Sequence, residues 1–115
     1  MDKQVSYWID ESLETIDAAK VLLDKNKYLE AAYFCHLSCE KMLKAAVVQH
    51  TSQVPPKIHA LNRLAKHASV DQTMNKSQQH FLDHLDVFQL EARYPQDRHK
   101  LYQTTPPSEF VRIHI

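Results

Sequence analysis

The sequence predicts an all-α fold, an antiparallel up-and-down bundle of four main helices that closes with a shortened C-terminal segment. Three observations carry this. Glycine is absent from all 115 residues, which argues against phosphate-cradling Gly-rich loops and tight primed hairpin turns. The stretch from Tyr28 to His50 holds neither Gly nor Pro and is long enough for about six helical turns. Upstream of it, Val5, Trp8, Ile9, Ser12, Leu13, Ile16, Ala19 and Leu23 recur at helical spacing.

Those residues form the inward stripe of a first helix from Lys3 to Asp24, with Asp10, Glu11, Glu14 and Asp17 outside it. Lys25-Asn26-Lys27 is the connection, and Asn26 takes the left-handed cap that Gly would otherwise supply. A link this short makes the first two helices antiparallel neighbours. On the second helix, Ala31, Ala32, Cys35, Cys39, Met42, Leu43 and Ala46 share one arc, mostly small, so a neighbouring helix can approach closely. A second arc carries Tyr33, His36, Glu40 and Lys44, set among Leu29, Leu37, Val47 and Val48. A helix apolar nearly all round is buried in its bundle or at an interface. Glu40 therefore needs a cationic partner, since an isolated buried carboxylate loses several kcal/mol of solvation.

Thr51 to Pro56 reads as a loop, because the Pro pair and the residue before it disfavour helix. A short third helix is expected from Lys57 to Ala68, with Ile58, Leu61, Leu64, Ala65 and Ala68 inward and His59 near its start. Val70 to Asn75 is a polar connection. Asn75 with Gln78 makes a capping-box start for a fourth helix reaching Arg93, which packs through Phe81, His84 or Leu85, Phe88 and Ala92 before Pro95 stops it. Residues 95–115 read as an irregular or truncated final element: Thr105-Pro106 is a helix start, yet the chain ends ten residues later, and Phe110 to Ile115 alternates like a short strand.

A length of 115 residues fits one domain, 1–115, with one core. Hydrophobic residues at 43% and charged residues at 24% are ordinary for a globular protein. The formal net charge is zero, so nucleic-acid binding would require a local patch, assembled by dimerisation. The N-terminus is too polar for a signal peptide, and no apolar run spans a membrane, so the expected location is cytoplasmic. Cys35 and Cys39 stand one turn apart on one helix and read as reduced packing residues. His80 and His84 have metal-ligand spacing, but the Glu that follows the first His of a zinc-protease helix is missing. No metal and no cofactor is assigned.

The run Ala31-Ala32-Tyr33-Phe34, followed by Cys39-Glu40-Lys41-Met42-Leu43-Lys44-Ala45, resembles the central helix of HEPN-domain proteins. Trp8 and Ala18-Ala19 before it, Pro55-Pro56 with His59 to Leu64 after it, and Glu91-Ala-Arg-Tyr-Pro95 agree in order. The resemblance covers roughly residues 5 to 95 and implies a helical bundle that forms a homodimer around a shared cleft. It places His59 and Arg93 near Tyr33, His36, Glu40 and Lys44, as a polar cleft for nucleotide or RNA or as a buried ion-pair network. Arg93 is then the first expected partner of Glu40, with Lys44 and His59 as the next choices.

Many members of the resembling family are metal-independent ribonucleases with four to six residues between an Arg and a His. Arg93 and His99 have that spacing. His accepts the ribose 2′-hydroxyl proton, and Arg holds the scissile phosphate. Tyr94 replaces the usual polar residue, and Pro95 turns the chain between the pair, so weak or absent hydrolysis is expected. The leading expectation is an accessory HEPN protein that binds nucleotide or RNA beside a separately encoded minimal nucleotidyltransferase, in a toxin–antitoxin-like pair. A ribonuclease using Arg93 and His99 is the alternative, and a structural helical adaptor is the third.

Overall fold

The computed structural model describes residues 2–91, with side chains through Phe88. Four helices follow in order: α1 (Lys3–Asp24), α2 (Tyr28–Thr51), α3 (Leu61–His67) and α4 (Lys76–Glu91), with a single 3₁₀ turn at Asp71–Thr73 before α4. No strand occurs among the described residues. No helix among them is long and apolar enough to cross a membrane.

Each helix end has a local cause. Asp2 caps α1, its carboxylate accepting from the amides of Gln4 at 2.6 Å and Val5 at 3.4 Å. Asn75 and Gln78 close a reciprocal capping box at the start of α4: the Gln78 amide donates to Asn75 Oδ1 at 2.8 Å, and the Asn75 amide to Gln78 Oε1 at 3.0 Å. With no Gly in the chain, the chain just past α1, α2 and α3 turns through left-handed Asn26, Ser52 and Ser69, at φ of 61°, 58° and 60°.

α1 and α2 run antiparallel at close range. Val5 clusters with Ala45 and Val48 near one end, and Ala19 with Ala32 and Cys35 near the other. Between them Ser12 Oγ donates to the Ser38 carbonyl at 2.8 Å, and Ser38 Oγ donates to the Ser12 carbonyl at 2.9 Å. Both hydroxyls are buried and satisfied across the helix pair. α4 lies across α2 through Leu82, Leu85 and Phe88, which join Leu29, Ala32 and Leu61 in the main core.

The third helix starts four residues later than expected. Lys57 to Ala60 is not helical. It belongs to a return segment, 52–60, that brings the chain back from Ser52 to the level of Glu40, where His59 meets it. From there α3 advances beside α2 in the same sense, with Leu64 against Val47 and Ser69 Oγ 3.1 Å from His50 Nε2. The antiparallel alternation is thus carried by α1, α2 and α4. α3 opposes α4, as Asn62 reaches Gln79 and Asp83 while Leu61 reaches Asp86.

Two residues expected on inward faces are exposed, Leu13 at 52% and Met42 at 41%. Leu85, not His84, is the inward residue of α4. The apolar breadth of α2 is largely covered within the single chain: Leu29, Val47 and Val48 are at most 4% exposed. The expected ends at Ala92 and Arg93, and the element at 95–115, lie outside the described residues.

Candidate functional site

The polar arc of α2 is buried, and its geometry follows from helical spacing. His36, Glu40 and Lys44 stand at successive i,i+4 positions and so project on one side. Glu40, with 8% of its side chain exposed, receives Lys44 Nζ at 3.1 Å on Oε2. On Oε1 it receives His59 Nδ1 at 3.0 Å. Lys44 Nζ also sits 5.3 Å from the centre of the Trp8 ring, a cation–π contact that helps hold a partly desolvated ammonium.

His36 is fully buried. Its Nε2–H donates to Asp86 Oδ1 at 2.9 Å. Among the described residues Nδ1 has no hydrogen-bond partner, and it lies 3.9 Å from Glu40 Oε1. Asp86 in turn accepts the Leu61 backbone N–H on both oxygens, at 3.2 and 3.3 Å. One carboxylate therefore orients a buried imidazole and also ties down the start of α3.

The cluster is asymmetric toward solvent. His59 leaves 53% of its side chain exposed, while its Nδ1 is engaged by a buried carboxylate. Because an ionised carboxylate only accepts, the Nδ1–H of His59 is the donor, and the other ring nitrogen is left for solvent or a ligand. Among the described residues, His59 Nε2 has no hydrogen-bond partner.

Of the polar residues expected at this place, His36, Glu40, Lys44 and His59 come together. Tyr33 does not join them, its ring lying edge-on to Phe34 at 5.9 Å between centres. Arg93 and His99 lie outside the described residues; among the described ones Glu40 is met by Lys44 and His59, the second choices. Asp86 and Trp8 complete the cluster and were not assigned to it from sequence. The spacing of Asp86 from Leu82 and Leu85 marks it only as flanking the apolar face, and its partner is an imidazole 50 residues away. Among the described residues no group of three His, Cys, Asp or Glu is placed to hold a metal ion. His80 and His84 instead border an open depression with Ser77, Gln78 and Phe81.

Cys35 and Cys39 are free thiols. Burial, and then the neighbouring Cys39 sulfur, push the Cys35 thiol up from 9.0 to about 11, and burial raises Cys39 as well. A raised value means less thiolate at neutral pH. Cys35 should therefore react with iodoacetamide about a hundred times more slowly in the folded protein than after unfolding in urea. The folded-state rate should climb as pH rises through 9 to 11. Equal labelling of native and unfolded protein at pH 7.5 would contradict this placement.

The arrangement provides a fixed, water-facing imidazole backed by a buried carboxylate and ammonium, in a bundle of four helices. The sequence model of the HEPN domain matches residues 5–109 of the chain. No curated protein and no solved structure matches it. With the match covering nearly the whole length, and the α2 motif forming the polar centre of the bundle, the chain belongs to the HEPN domain family.

Proposed function

We propose that the chain is an accessory HEPN protein of the cytoplasm that binds nucleotide or RNA as a homodimer, beside a minimal nucleotidyltransferase in a toxin–antitoxin-like pair. The observation that supports binding is His59. Its imidazole is held at Nδ1 by Glu40 at 3.0 Å and open to solvent on its other side. A preoriented ring offers a stacking face for a base and a hydrogen-bonding nitrogen at little entropic cost. Dimerisation is supported by an apolar hollow of about 290 Å³ between α1 and α2, lined by Val5, Ile9, Met42 and Ala46.

A second reading, a metal-independent endoribonuclease, is favoured by one sequence observation. Arg93 follows Glu91, the last described residue of α4, by two positions, and His99 follows Arg93 by six. In that reaction the 2′-oxygen attacks phosphorus and its proton passes to His99, while the bond to the 5′-oxygen breaks and that oxygen takes a proton from water, giving a 2′,3′-cyclic phosphate and a 5′-hydroxyl.

The test uses purified full-length protein. Sedimentation at micromolar concentration should give a dimer. Calorimetry with ATP and fluorescence anisotropy with a single-stranded RNA should show binding that His59→Ala weakens about tenfold, a loss of one good contact, measured well below the melting midpoint of the variant, which falls because Glu40 loses its Oε1 partner. Binding indifferent to His59→Ala would remove the cleft from the proposal. EDTA-resistant cleavage that is lost in an Arg93→Ala, His99→Ala double variant would favour the ribonuclease.

A further inference from the structure

The charges of this neutral chain are segregated. Residues 41–70 contain Lys41, Lys44, Lys57, Arg63 and Lys66, with His50, His59 and His67, and no Asp or Glu. The 14 acidic residues all lie before or after that stretch. Lys41 is paired with Glu11, and Lys44 with Glu40. Lys57, Arg63 and Lys66 have no ion pair or side-chain hydrogen bond among the described residues, and neither does His67.

α3 gathers this excess. Leu61, Leu64 and Ala65 face the core at 0% exposure. Arg63, Lys66 and His67 are exposed, at i, i+3 and i+4, which places them together on the outer side. They line a depression of about 210 Å³, roomy enough for phosphate groups. Basic residues in a last helical turn also complement the helix dipole. That accounts for Lys66 and His67 at the end of α3, but neither for Arg63 a turn earlier nor for the absence of any neutralising carboxylate along 30 residues. Cations held side by side with no ion-pair partner among the described residues repel one another, and a polyanion relieves the repulsion.

We propose that the outer face of α3 is a phosphate-chain site, with Arg63 and Lys66 as its fixed charges and His67 as a hydrogen-bond donor at its edge. It deepens the nucleotide-or-RNA reading, on which its biological ligand rests, by naming where phosphates are held. Arg63 supplies the planar fork that matches two phosphate oxygens, and Lys66 a mobile point charge. The phosphates belong either to an RNA backbone or to the polyphosphate of a free nucleotide.

Two measurements on the full chain test this. The first is anisotropy with a labelled 20-nucleotide single-stranded RNA across a salt series. Arg63→Gln with Lys66→Gln should reduce the slope of log affinity against log salt by about 1.4, as about 0.7 is lost per phosphate contact on a single strand. Lys3→Gln with Lys20→Gln, on the exposed side of α1, should leave it unchanged. The second is NMR titration with tripolyphosphate and with ATP, read at the amides of residues 63–67.

RNA binding with the slope reduced only by the α3 pair supports an RNA backbone as ligand. RNA binding with an unaltered slope in that variant overturns the proposal. If RNA does not bind but tripolyphosphate and ATP shift residues 63–67, the site stands and the RNA reading falls. If RNA does not bind and millimolar tripolyphosphate leaves those amides unmoved, the site falls.

Discussion

Replacing Glu40 with alanine should destabilise the fold by about 3–5 kcal/mol, the usual consequence of removing one member of a buried ion pair. Glu40 is 6% exposed and Lys44 9%. Without the carboxylate, the ammonium at 3.1 Å keeps, among the described residues, the Trp8 face and what water can reach it. The His59 imidazole loses its 3.0 Å contact with Glu40. The cost comes from the charge left behind, not from the attraction itself, and a paired substitution separates the two. Glu40→Leu with Lys44→Met fills a similar volume and removes both charges, so it should recover most of the lost stability. Urea denaturation midpoints of the two variants decide the matter. A loss below about 1 kcal/mol for Glu40→Ala would place the pair among solvated surface ion pairs.

Asp86→Ala should cost about 3 kcal/mol, because it strands two donors that water cannot readily reach. One is the His36 Nε2–H, on a ring with no exposed surface. The other is the Leu61 N–H, at the first position of α3. The second loss is local and separable: amides early in α3 should exchange faster in the variant than those of α1. Asp86→Asn keeps an acceptor oxygen in place and should cost about half as much. A variant in which the midpoint falls but α3 exchange is unchanged would show that Asp86 acts through His36 alone.

These two residues also mark what could be read in advance. The first, second and fourth helices were legible, because their causes are local: helical spacing, the Asn26 turn, the Asn75–Gln78 box. The start of α3 was not. Lys57 to Ala60 is compatible with helix by composition, but the chain is captured by Glu40 through His59 and by Asp86 through Leu61, residues 19 and 25 positions away. The candidate site divides the same way. His36, Glu40 and Lys44 announced themselves by spacing on one helix. Asp86 joined them only through the tertiary fold, as one polar residue in a largely exposed stretch of α4. Met42 shows the converse, since its place on the small-residue arc gave no sign that the arc runs out into solvent there.

The exchanged serine bonds between α1 and α2 bear on alignment. Small residues meet in this part of the seam, Ser12 and Ala19 of α1 with Ala32, Cys35 and Ser38 of α2, and a slide of one turn, about 5.4 Å, would change every one of these pairings. Ser12 and Ser38 each donate to the other's carbonyl at 2.8–2.9 Å, and a slide of that size breaks both bonds at once. It would leave two hydroxyls stranded in a dry seam. Their role is therefore discrimination between registers more than net strength, and the selection propagates. Glu40 lies two residues from Ser38 on the same helix, so the pin that fixes α1 against α2 also sets Trp8 over Lys44.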